Sequence, residues 1–117
     1  MQVGCTVAQR GPLRKALSLK TDDAPVFDRV NELTARALRL RRKGELRRAA
    51  VALREACALD EAHPARWLWL SDVLGRMGKR HEAEQALKQA LFLRQQAGEK
   101  AKANVIRGLL LHLARLA

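Results

Sequence analysis

The chain repeats itself at a fixed interval. Gly44 and Gly78 lie 34 residues apart, and the same 34 separates Ala49 from Ala83, Leu53 from Leu87, Ala56 from Ala90 and Leu59 from Leu93. A period of that length marks a stacked helix-turn-helix array, in which one unit cannot bury its apolar face alone and does so against its neighbours. Small residues recur where helices must cross, and glycine recurs where one helix stops. Arrays of this kind act by offering a surface to a partner, and seldom by catalysing a reaction.

The apolar positions place five helices. Acidic Asp22 and Asp23 precede Pro25, a helix entry. Val26, Val30, Leu33, Ala37 and Leu40 then follow at spacings of three and four, up to a stop near Gly44. A second helix is predicted from about Glu45 to Leu59, with Leu46, Ala49, Leu53, Ala56 and Leu59 on its inner face. His63-Pro64 marks a turn. The third helix is predicted from about Ala65 to Met77, with Trp67, Leu70, Val73 and Leu74, and the fourth from about Arg80 to Gln96, broken by Gly98. The last, from about Glu99 to Leu116, carries Ala101, Val105, Ile106, Leu109, Leu110, Leu113 and Leu116. Residues 1–24 read as a loose arm with one short helical segment, Leu13–Leu19, after Pro12. Residues 25–117 read as the folded domain, with repeats at about 30–63 and 64–97 and a capping helix at about 98–117.

Composition agrees with an all-α fold. The 117 residues suffice for one domain, tyrosine is absent, and alanine and leucine carry the apolar weight, which suits close-packed helices better than sheet. Lys and Arg number 23 against 12 Asp and Glu, a net charge of +11 that draws polyanions and acidic partners without naming one. The charge is concentrated: Arg36, Arg39, Arg41, Arg42, Lys43, Arg47, Arg48 and Arg54 share one stretch with a single carboxylate, Glu45. Cys5 and Cys57 lack any motif spacing, as expected of a reducing, cytoplasmic compartment. No apolar run of membrane-spanning length and no secretory leader is expected. His63, His81 and His112 stand apart from cysteines and carboxylates at ligand spacing, so no metal, no cofactor and no catalytic centre is expected.

These residues resemble the tetratricopeptide repeat (TPR). In the second copy the family pattern meets Trp67, Leu70, Ser71, Leu74, Gly78, Ala83, Leu87 and Ala90; in the first it meets Leu33, Ala37, Leu40, Gly44, Ala49, Leu53 and Ala56. Arg36 departs from the pattern where leucine is usual, Glu61 and Gln95 stand at the places of the terminal proline, and His112 stands where a third turn glycine would be. The resemblance covers residues 27–117. It implies a TPR-like α-α superhelix of two helix-turn-helix repeats plus a C-terminal capping helix, with a concave groove lined by the first helix of each repeat.

The resemblance also implies where a protein or peptide partner would bind. The groove positions hold Asn31, Thr34, Leu38, Arg41, Arg42, Leu68, Asp72 and Arg76, with Lys102 and Ile106 from the cap, and Trp69 lies beside them as an apolar residue surplus to the core stripe. A subgroup of the family grips the acidic tails of heat-shock chaperones with a set of Lys, Asn, Asn, Lys and Arg. Those places hold Thr34, Leu38, Trp69, Glu99 and Ala103 here, so chaperone-tail binding is not expected. The expected function is a non-enzymatic adaptor that anchors a partner on Leu38, Leu68 and Trp69 and pairs its acidic groups with Arg41, Arg42 and Arg76. Two alternatives stand beside it. The Arg36–Arg54 patch could hold RNA or DNA, although there are few aromatics for base stacking. The chain could also be a self-associating subunit of a larger assembly.

Overall fold

The computed structural model describes residues 23–116, which form five α-helices and no strand: α1 (Asp23–Arg42), α2 (Leu46–Leu59), α3 (Pro64–Arg76), α4 (Arg80–Gln96) and α5 (Lys100–Arg115). The expected Leu13–Leu19 helix lies outside these residues. Helix α1 starts two residues before Pro25, which therefore falls in its first turn, where a missing N–H leaves no intrahelical bond unmade. Packing runs from each helix to the next: α1 on α2, α2 on α3, α3 on α4 and α4 on α5.

Three of the four connections are the same turn. Gly44, Gly78 and Gly98 have φ of 81°, 78° and 74°, left-handed values that a side chain disfavours. Each glycine N–H donates to the carbonyl three residues back (Gly44 to Arg41 at 3.0 Å, Gly78 to Gly75 at 3.0 Å, Gly98 to Gln95 at 3.1 Å). The next N–H donates to the carbonyl five back: Glu45 to Leu40 at 2.9 Å, Lys79 to Leu74 at 2.9 Å, Glu99 to Arg94 at 3.0 Å. This is the Schellman pair, which satisfies carbonyls that a helix end would otherwise leave bare. The residue after each glycine is already the N-cap of the next helix. Its carbonyl accepts from Ala49, Ala83 and Ala103 at 3.0, 3.0 and 2.9 Å. Those three alanines are 0%, 2% and 2% exposed, and their small side chains let each hairpin close tightly.

The α2–α3 connection is different. It contains no glycine, and Asp60 ends α2 in an extended conformation. His63 is also extended, as a residue before proline must be, and Pro64 opens α3 at its first position. Arg66 closes this joint. Its side chain is 6% exposed, and its guanidinium donates to Asp60 Oδ2 at 2.9 Å and to Thr34 Oγ1 at 3.0 Å. Thr34 Oγ1 in turn donates to the Val30 carbonyl at 2.8 Å. One buried cation thus ties α1, the α2–α3 loop and α3 together.

The core follows the 34-residue period. Ala37 and Ser71, Leu40 and Leu74, Ala49 and Ala83, Leu53 and Leu87, and Ala56 and Ala90 are buried in both copies. Trp67 packs against the main cluster and against the smaller one of Leu87, Ala90 and Ile106, and its indole N–H reaches the Glu61 carbonyl at 2.9 Å. Several expected inner residues are open instead: Val26, Leu59, Val105, Leu109 and Leu116. On α5 the Ala103, Ile106, Leu110 and Leu113 side meets the bundle, because that helix packs chiefly on α4, along one side. Apolar spacing marks an apolar arc wider than the neighbour beneath it.

The turns and the helix interiors should respond oppositely to the same substitution. Beyond the local backbone, no atom would lie within 4 Å of a Cβ at Gly78 or at Gly108 of α5, so only backbone preference changes. Gly78→Ala is expected to lower stability by about 1–2 kcal/mol, and Gly108→Ala to raise it by about 0.5–1 kcal/mol. Urea midpoints of the two variants should move in opposite directions.

Candidate functional site

Side chains bridge α1 and α3 at two places, Arg66 to Thr34 and Arg41 to Asp72, and so define a face the two helices share. Arg41 of α1 donates from Nε to Asp72 Oδ2 of α3 at 2.7 Å, and Arg76, one turn further along α3, reaches the same carboxylate at 3.3 Å. Arg41 and Asp72 are half-buried and Arg76 is exposed. Leu38 is one turn before Arg41 and is half-buried; Asn31 and Arg42 are exposed. On α3, Leu68 is half-buried against the Leu87, Ala90 and Ile106 cluster, and Trp69 is half-buried against the main core. Lys102 of α5 is exposed and reaches Glu99 at 3.4 Å.

The expected site residues therefore divide. Arg41, Asp72 and Arg76 are brought together, but as an internal ion cluster whose cations already hold a carboxylate. Thr34 is spent on Arg66 and Val30. Ile106, at 1% exposure, belongs to the core and not to any groove. Asn31, Leu38, Arg42 and Lys102 keep open surface. Arg66 was not among the expected residues, because a lone arginine in a basic sequence reads as solvated.

The basic stretch divides in the same way. Arg41 pairs with Asp72, Arg48 with Glu45 at 3.5 Å, and Arg54 with Glu82 across α2 and α4. Among the described residues, Arg36, Arg39, Arg42, Lys43 and Arg47 have no carboxylate within 4 Å. Exposed pairs of this kind contribute roughly 0–1 kcal/mol each, so their role is to set the surface potential more than to stabilise the fold.

Titration follows burial and contact. Cys57 is 1% exposed, and desolvation pushes its thiol up to about 11; nearby Arg66 opposes this and Asp60 adds to it. The thiolate is therefore scarce at neutral pH, and the residue packs as a small apolar group. The Arg94 hydrogen bond, at 2.9 Å, holds the Glu99 carboxyl below the usual carboxylate range. That pair joins the last turn of α4 to the cap of α5. Among the described residues no group of three His, Cys, Asp or Glu side chains is arranged to hold a metal ion. No described helix is long and apolar enough to cross a membrane.

No protein-family model matches the chain, and searches of curated proteins and of solved structures return no match.

Two measurements probe this region. Removing Asp60 strips the buried guanidinium of an acceptor, so Asp60→Ala is expected to cost roughly 1–3 kcal/mol. Adding Arg66→Met is expected to recover part of that loss, since an apolar chain needs no partner; urea titrations of both variants check it. Cys57 supplies the second. Burial holds its folded pKa, about 11, above that of an ordinary thiol, so its contribution is complete below pH ~9 and is lost as pH rises through the folded value. Alkylation by iodoacetamide at pH ~8 should be slow in the native protein and fast in urea.

Proposed function

We propose that this chain is a non-enzymatic, cytoplasmic interaction adaptor of the tetratricopeptide kind, binding a protein or peptide on the face that α1 and α3 share. The observation that supports it is the match between the two copies. At one spacing they share a set of buried positions and close on the same left-handed glycine, and side chains bridge their first helices. A face made this way is rigid without a ligand, which lowers the ordering cost of binding.

The surface suits apolar anchoring with charge at its edges. Leu38 and Trp69 are half-exposed, and Arg42 and Arg76, on the same two helices, are exposed. Asp72 neutralises the middle of the face through Arg41, so acidic groups of a partner would meet the cations at the rim. Rim charges act mainly on association rate and salt dependence, while buried apolar anchors hold the complex.

A second function is favoured by a separate observation, the five cations on α1, on α2 and in the turn between them that have no carboxylate within 4 Å among the described residues. They would serve an RNA or DNA backbone. Each phosphate neutralised makes binding fall steeply with salt.

Affinity purification from native lysate, with half the sample nuclease-treated, separates the two. A protein partner retained after nuclease and lost from a Leu38→Ser plus Arg76→Glu variant is the expected result. Retention by that variant would remove the α1–α3 face from the account, and recovery that collapses with nuclease would give precedence to nucleic acid.

A further inference from the structure

Two open grooves of nearly equal size, about 430 and 460 Å³, occupy equivalent places in the two copies. The first is built from Leu33, Arg36 and Leu40 of α1 with Arg48, Val51 and Ala52 of α2. The second has Trp67, Leu70, Leu74, Glu82, Gln85 and Ala86, each 34 residues further on. It also has a wall that the first lacks. Helix α2 and the residues after it enter with Arg54, Cys57, Ala58 and Glu61, spaced as one face of a helix. Small residues sit at the centre of that face, and Arg54 at one end pairs with Glu82. The molecule itself shows what such a groove takes: a helix with a narrow apolar side and a charge matched to the rim.

Among the described residues no helix does this at the first groove, and its chemistry is changed. Arg36 replaces Leu70 and Arg48 replaces Glu82, so the rim is cationic where the second groove is apolar and acidic. Among the described residues Arg36 and Arg47 have no carboxylate within 4 Å; Arg48 meets the exposed Glu45, at 3.5 Å, and Arg29 meets the exposed Glu55, at 2.8 Å. Val51 is 61% exposed on the edge of a floor made of buried Leu33, Leu40 and Ala52.

We infer that this groove docks an acidic amphipathic helix of a different protein, laid against α1 and α2 as α2 lies against α3 and α4. Small apolar residues of that helix meet Val51 and Ala52. Its carboxylates meet Arg36 and Arg48, reversing the polarity of the Arg54–Glu82 pair. The charge of the rim points to an occupant other than this chain. The stretch in register, 34 residues before Arg54–Glu61, is Lys20–Phe27, and α1 already takes its residues from Asp23 onward. The Leu13–Leu19 segment carries Arg14 and Lys15, the same sign as the rim. A second copy of the chain, at +11, would also approach against like charge. The groove is distinct from the α1–α3 face and stands whether or not that face binds.

The test uses a stapled, fluorescein-labelled helical peptide with the Leu46–Glu61 sequence, in which Arg47→Glu, Arg48→Glu and Arg54→Glu reverse the charge and Cys57→Ala removes the thiol. The control peptide carries Cys57→Ala alone. Fluorescence anisotropy with the full chain should show saturable binding of the acidic peptide, and affinity at least about tenfold lower for the control. Arg36→Glu plus Arg48→Glu in the protein should weaken the acidic peptide about tenfold and strengthen the control, a charge swap that misfolding would not produce. Val51→Glu should weaken the acidic peptide as well. The Leu38→Ser plus Arg76→Glu variant should leave it unchanged, which separates this groove from the adaptor face. Equal affinity for the two peptides, no saturation by ~1 mM, or indifference to Arg36→Glu plus Arg48→Glu would overturn the proposal. A uridine oligomer binding at these arginines where the acidic peptide does not would overturn it too, and would leave a polyanion site in its place.

Discussion

Everything in this fold depends on a helix that stops and restarts within about three residues. The left-handed glycine lets two backbone bonds close the outgoing helix, and the very next residue caps the incoming one. Within each hairpin these turns set the register of helices of 13 to 20 residues that carry few large side chains. The hairpin angle is set by the backbone, and the side chains only have to fill the narrow gap that remains. That is why alanine, with no rotamer to choose, stands five residues after each turn glycine.

Between repeats the logic changes. The α2–α3 joint has no glycine turn and relies on Arg66, Asp60 and Thr34. A buried guanidinium is expensive to leave unpaired, so the three groups enforce one geometry even where their net contribution is small. Hairpins built by backbone are joined by a side-chain network, and the Arg41–Asp72 pair reinforces the same junction further along the helices.

The fold was largely legible in the sequence, because period, glycine and small residues each report a backbone constraint. The spacing from Gly98 to Ala103 is the same as from Gly44 to Ala49 and from Gly78 to Ala83, so the third turn was also written there. The surface was less legible. Thr34 and Asp72 look like free polar groups until partners 31 and 32 residues away are known. Arg36 looks like a defect in the repeat until the first copy is seen with no described helix against that side, where a leucine would face water. Val105, Leu109 and Leu116 carry the periodicity of a core while α4 covers another side of their helix. Pattern gives the face of a helix; only packing says what meets it.

Nine of the nineteen buried apolar residues among those described are alanines. A core of that kind is fragile in the direction opposite to most. Truncation can open cavities at its six leucines, two valines, Ile106 and Cys57, but not at its alanines, already nearly the smallest side chains. Growth is what it cannot absorb. One added methyl at a helix crossing must push two backbones apart, and the fixed turns transmit that displacement along the stack. The smallest residues are therefore the ones whose enlargement this interior tolerates least, and bulk is the property it excludes first.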